Sequence, residues 1–147
     1  MDPHPHPRVL LAATHESAPA LQRALHGIAR PIVAYSEDEA LRLMGPDVRF
    51  VVCTMRFDDS RMLEFLSHAA REFPRVRFIC CRGTEGQLPE SSLRAVGIAA
   101  EHLGAIAFVD LPGLRARHGE ERALELLGEI LRDQISSFAP FEAMTFE

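Results

Sequence analysis

Three groups of side chains along the 147 residues have the types that could do chemistry. The first is acidic: Glu16, Asp58, Asp59 and Asp110 each follow an apolar run, and two such carboxylates brought together would hold a hard divalent cation through oxygen. The second is thiol: Cys53, Cys80 and Cys81, with His15 upstream, would suit a soft metal or reversible oxidation. The third is the His4 and His6 pair, spaced by prolines at the start, which would hold a metal only weakly.

Each group also has an ordinary use. Asp58 or Asp59 can cap a helix, and Glu16 suits a first helical turn, where negative charge is favoured. A free cysteine packs as a small hydrophobe, and no CxxC spacing argues for more. The stretch "RGTEG" follows an apolar run but lacks the lysine and spacing of a phosphate-binding loop. Arg71, Arg75 and Arg77 make a basic spot that can meet an acidic partner or simply border a solvated turn. No nucleophile–base pair is readable, so the expectation is that the chain is not an enzyme and uses no cofactor.

The elements that must position these groups alternate. "RVLLAAT" (8–14), "PIVAY" (31–35), "FVVC" running into Thr54, "VRFICC" (76–81) and "AIAFV" (105–109) read as strands, the first as one buried on both faces. Between them lie helical patterns. Leu21, Ala24, Leu25 and Ile28 follow Ser17 as a candidate N-cap, and Ser36 with Glu39 forms a capping-box pattern ended by Gly45-Pro46. Met62, Phe65, Leu66, Ala69 and Phe73 share one face of a helix beginning near Asp59 or Ser60 and stopped by Pro74. Leu93, Val96, Ala100 and Leu103 align before Gly104, and a last helix after "DLPG" carries Ala123, Leu127, Ile130, Leu131, Ile135 and Phe138. Five strands alternating with five helices imply a parallel sheet covered on both faces. Ligands of such sheets bind beyond the carboxyl ends of the strands.

Composition narrows the class. An apolar share of 47% is enough for one domain with a proper core, and a net charge of −5 argues against a nucleic-acid surface. No apolar run has the length of a membrane span, and "MDPHPHPRV" lacks the layout of an export signal. Three cysteines make no disulfide framework, so a reducing cytoplasm is the expected compartment.

The order and lengths of these segments, together with "AAEHLGAIAFVDLPGL" and "MLEFL", make the chain similar to the receiver domain of two-component response regulators. The resemblance spans roughly Arg8 to Ile135. Gly104-Ala105 and Phe108 match the family pattern, and Leu111-Pro112 stands where Lys-Pro would be. It implies a flavodoxin-like (CheY-like) three-layer αβα sandwich with a five-stranded parallel sheet of order 2-1-3-4-5. Residues 1–7 would then be a disordered N-terminus, 8–138 the receiver-like domain and 139–147 a tail.

The family's phosphorylation residues do not carry over. Its acceptor Asp falls on Thr54, or on Cys53 with a loop longer by one residue. Its metal-holding acidic pair falls on Ala13 and Thr14, its hydroxyl residue after strand four on Cys81, and its Lys on Leu111. Without carboxylates the metal has little to hold it, and phosphoryl transfer depends on that charge neutralisation. The expectation is a stand-alone, atypical receiver-like signalling module working by protein–protein contact, without an output domain of its own. The resemblance makes Phe108 the switch aromatic and places Phe108, Leu103 and Leu114 on the face of the fourth helix, fifth strand and fifth helix, where a homodimer would form. Phe138, Phe141 and Phe146 could serve the same contact. The alternative is a sensor in which Cys53 and Cys81 respond to oxidation or a soft metal. No nucleic-acid or membrane partner is expected.

Overall fold

A computed structural model describes residues 7–83 and 88–145, with side chains through 136. His4, His6, most of the expected disordered N-terminus, the centre of the "RGTEGQLPE" loop and Phe146 lie outside the described residues, as do the side chains of Phe138 and Phe141.

The strands are β1 (Arg8–Ala12), β2 (Arg30–Ala34), β3 (Val48–Thr54), β4 (Arg77–Arg82) and β5 (Ala105–Asp110). They form one parallel sheet in the order β2-β1-β3-β4-β5. The expected flavodoxin-like architecture is the observed one. Alternation along the strands builds two cores rather than one. Val9, Leu11 and Ala13 face a layer holding Leu21, Leu25, Ala123, Leu127, Leu131 and Ile135. Leu10, Ala12, Val51 and Cys53 face another holding Ala40, Met62, Phe65, Leu66 and Ala69. Burial on both faces is why the strands read as continuous apolar runs.

The helices number seven among the described residues, not the expected five: α1 (Ala18–Ala24), α2 (Glu37–Leu43), α3 (Phe57–Ser60), α4 (Met62–Glu72), α5 (Glu90–His102), α6 (Leu111–His118) and α7 (Glu120–Thr145). Two differences account for this. The expected last helix is divided at Gly119, whose φ of 85° no helix accommodates, and α7 then continues through residues 139–145, where the sequence shows no pattern. The start of the expected third helix is the single turn α3, in which Asp58, Asp59 and Ser60 have φ of 46°, 61° and 65°. Left-handed backbone costs a non-glycine residue about 1–2 kcal/mol.

Caps hold the loops that shape the crevice. Ser36 accepts from the Glu39 N–H at 3.2 Å, as a capping residue should, while the Glu39 carboxylate accepts from the Tyr35 N–H at 2.8 Å, one residue earlier than the standard box. Ser17 occupies the N-cap position of α1, but its side chain makes no cap bond. It turns back to Thr14 instead. The main chain after α4 leaves the helix at Phe73, one residue before Pro74.

Candidate functional site

The crevice beyond the strand ends is built from the loops after β1, β3, β4 and β5. Its floor is closed. Ala13, Cys53, Cys81 and Leu111 are fully buried, and Thr54 is 2% exposed. Thr14, at half exposure, forms a compact hydroxyl turn with Ser17: the two hydroxyls lie 2.9 Å apart, the Thr14 N–H donates to Ser17 Oγ at 3.1 Å and the Ser17 N–H donates to Thr14 Oγ1 at 3.1 Å. This turn ties the Thr14 and Ser17 hydroxyls to each other.

The chain leaving β4 then seats on that floor. Met55 N–H donates to the Cys81 carbonyl at 2.9 Å, tying the ends of β3 and β4 together. At Gly83 a Cβ would lie 2.9 Å from Ser17 Cβ and 3.3 Å from Thr54 Cγ2, so only glycine permits the approach. Thr54 Oγ1 is left buried with no hydrogen-bond partner among the described residues. A buried hydroxyl in that state costs about 1–3 kcal/mol.

The rim carboxylates point to separate tasks. Asp58 Oδ2 accepts from the Glu37 N–H at 2.8 Å, adding from the left-handed turn a second acceptor at the start of α2 beside the Ser36 cap. Glu37, nearly buried, lies 2.7 Å from His68 Nδ1 on α4. Asp110 lies 3.5 Å from Arg82 across the paired ends of β4 and β5. Glu16 and Asp59 are exposed. Among the described residues no three His, Cys, Asp or Glu side chains gather as metal ligands. His15 instead stacks on Tyr35, ring centroids 3.7 Å apart, at the outer rim.

The thiols fall differently from the sequence expectation. Cys81 sits opposite Thr54 and faces the α1–α7 layer, whereas Cys53 faces the α2–α4 layer. Adjacent residues of a strand point to opposite faces, so Cys53 meets Cys80, with 3.4 Å between the sulfurs. Of the two strand-four thiols that could approach Cys53, it is Cys80 that meets it, while Cys81, named with Cys53 as a possible sensor thiol, lies in the other layer. The Cys53 thiol is held well above its ordinary range by its hydrogen bond with Cys80 and by burial, and burial pushes Cys81 up as well.

Phe108, Leu103 and Leu114 are all half-buried but do not share a core. Phe108 and Leu103 pack on the α2–α4 layer and Leu114 on the α1–α7 layer. The Phe108 ring lies beside Gly97 of α5, where an added Cβ would sit 3.5 Å from the ring. The most exposed large apolar residue on this side is Ile98 of α5, at 62%. Sequence reasoning passed over it because it is off the helix's apolar stripe, and that displacement was the available signal. α5 fully buries only Ala100.

Among the described residues no helix is long and apolar enough to cross a membrane. No protein-family model and no curated relative matches the chain. Solved structures do. The orphan response regulator HP1043 of H. pylori superposes with a TM-score of 0.65 at 16% identity, over 89% of this chain and 98% of that one. The phosphorylated cyanobacterial phytochrome response regulator RcpA gives 0.67 at 11% identity, over 90% and 96%. The CheY-like receiver domain from Methanospirillum hungatei JF-1 gives 0.60 at 17% identity, over 90% and 98%. With its sheet order, its two-layer helix cover and this likeness over nearly its full length, the chain has the fold of the response regulator receiver domain.

Proposed function

We propose that this chain is a receiver-fold signalling module that takes no aspartyl phosphate and acts through protein–protein contact. The crevice floor is the observation that carries the reading: Ala13, Thr54, Cys81 and Leu111 are 0–2% exposed and Gly83 is seated against Ser17 and Thr54. An aspartyl phosphate needs a carboxylate nucleophile, a metal held by further carboxylates and a cation on the phosphoryl oxygens. The floor offers a hydroxyl without a base, two apolar side chains and a thiol kept protonated by burial. Arg82, at the end of β4, lies 3.5 Å from Asp110. The exposed surface of α5 around Ile98, next to Phe108 on β5, is the contact face this reading favours, for a second copy or another protein.

Intact mass after incubation with a small acyl-phosphate donor and Mg²⁺ tests this. An unchanged mass is expected. A gain of one phosphoryl group that disappears in Asp58→Asn, Asp59→Asn or Asp110→Asn would overturn the reading.

A cysteine sensor is the second reading, favoured by the 3.4 Å contact between Cys53 and Cys80. Neighbouring strands bring their Cα atoms within the range a disulfide spans. Two thiols would give one disulfide while a hydroperoxide is reduced to an alcohol and water. Thiol titration before and after peroxide decides it: loss of two titratable thiols, restored by dithiothreitol and absent in Cys80→Ser, supports the sensor. Three thiols unchanged after peroxide exclude it.

A further inference from the structure

The edge of the sheet opposite the crevice carries positive charge that its helices do not call for. Arg8, Arg30 and Arg77 open β1, β2 and β4, Arg49 is the second residue of β3, and Arg75 lies just before β4. Arg8 pairs with Arg30 and Val48 in register, and Phe50 pairs with Arg77, so these arginines run side by side along one edge in the order β2-β1-β3-β4. Arg8, Arg30, Arg49 and Arg75 are exposed and Arg77 is half-buried. Arg23, Arg42 and Arg71 occupy the last turns of α1, α2 and α4 at the same end. Those three answer the negative ends of helix dipoles. The five on or beside strands do not, because strand dipoles are small.

Arg30, Arg49 and Arg77 each already have an interaction within the chain, and the carboxylates at that edge include Asp47, Glu72 and Glu101. One of them displays the chemistry the edge favours. Arg8 holds Asp47 at 2.6 Å, and that hydrogen bond, with a Coulombic pull from Arg30, keeps the Asp47 carboxyl below its ordinary value. All sixteen Lys and Arg side chains of the sequence are Arg. A guanidinium presents five N–H donors in a planar fork matched to a carboxylate, so one partner does not exhaust it.

We propose that this edge docks an acidic polypeptide segment, its Glu or Asp side chains lying across the starts of β2, β1, β3 and β4. Strands about 4.8 Å apart set these arginines along a row of about 14 Å, and an extended segment presents like-facing side chains about 7 Å apart. Two or three carboxylates therefore fit the row. A nucleic acid fits less well. Its charge recurs about every 1.7 Å along the duplex axis, and the chain as a whole is at −5, with Glu16, Asp38, Asp58 and Asp59 at the other edge. The inference names the partner's chemistry and rests on the contact reading above, but on a different face from Ile98.

The test is fluorescence anisotropy of a short labelled glutamate-rich peptide titrated with the full chain at low ionic strength and at about 0.15 M, where the Debye length is about 8 Å. Saturable binding that weakens with salt is expected, and the glutamine version of the peptide should not bind. The pair Arg30→Glu with Arg49→Glu should weaken binding at least about tenfold, ~1.4 kcal/mol. Arg30→Gln with Arg49→Gln should move it the same way by less, and Arg94→Glu on α5 should leave it unchanged. No binding at low ionic strength, indifference to the Arg30 and Arg49 variants, or equal affinity for duplex DNA of matched length would overturn the proposal. If the peptide fails to bind while Ile98→Glu abolishes a measured protein contact, the docking edge falls and the contact reading stands.

Discussion

Thr54 ends β3 at the crevice floor, and its hydroxyl is buried without a partner among the described residues. Thr54→Val keeps the shape and removes the orphan group, so it should raise stability by about 1–2 kcal/mol, read as a higher urea midpoint at unchanged slope. Thr54→Asp should do the reverse by several kcal/mol, because it buries a carboxylate beside Gly83 at a position 2% exposed. A destabilised Thr54→Val would mean the hydroxyl has a partner after all. The thiols add a pH dependence at the same scale. An unfolded cysteine ionises near 9.0, whereas folded Cys53 and Cys81 hold their protons to higher pH. Above pH 9 the unfolded chain therefore binds fewer protons than the folded one, and stability should fall as pH rises further. Cys81→Ala should flatten that slope in urea titrations between about pH 8 and 10, around the ordinary thiol pKa.

The loop between β3 and α4 is the element that departs furthest from expectation. Apolar spacing correctly located the face of α4, since Met62, Phe65, Leu66 and Ala69 are all buried. Spacing could not reveal that Asp58, Asp59 and Ser60 wind left-handed, because what favours that turn is a bond to a residue 21 positions away, the Glu37 N–H. Asp59→Gly should raise stability by up to about 1 kcal/mol, the excess of relieved left-handed strain over the added freedom of the unfolded chain. Asp58→Gly gains the same relief but loses the acceptor for the Glu37 N–H at the start of α2, so it should fall about 1 kcal/mol below Asp59→Gly. Equal midpoints for the two variants would show that the Asp58 bond contributes nothing. Ser17 shows the same limit from the other side. Its type and position predict a helix cap, but the nearer Thr14 hydroxyl takes its side chain.

At the scale of the molecule, charge and apolar surface are set apart. The strand starts gather arginine, the crevice rim gathers carboxylates, and α5 leaves Ile98 in solvent. Ile98→Glu removes an apolar group that is 62% exposed. It should change stability by less than about 0.5 kcal/mol while weakening any self-association seen by size-exclusion chromatography with light scattering. Self-association that persists in Ile98→Glu would move the contact face away from α5.

Alternating apolar runs and helical stripes were sufficient, from the sequence alone, for the parallel sheet and the two helical layers, since burial on both faces leaves its mark on every strand. The strand order followed from a resemblance that the superposed receiver structures bear out as fold. Tertiary structure alone decided which groups meet. Cys53 finds Cys80 rather than Cys81 because parallel register and side-chain alternation, not chain distance, choose the neighbour. Gly83 reaches Ser17 and Thr54, and five arginines from four strand starts share an edge, because a sheet sets the ends of distant strands side by side.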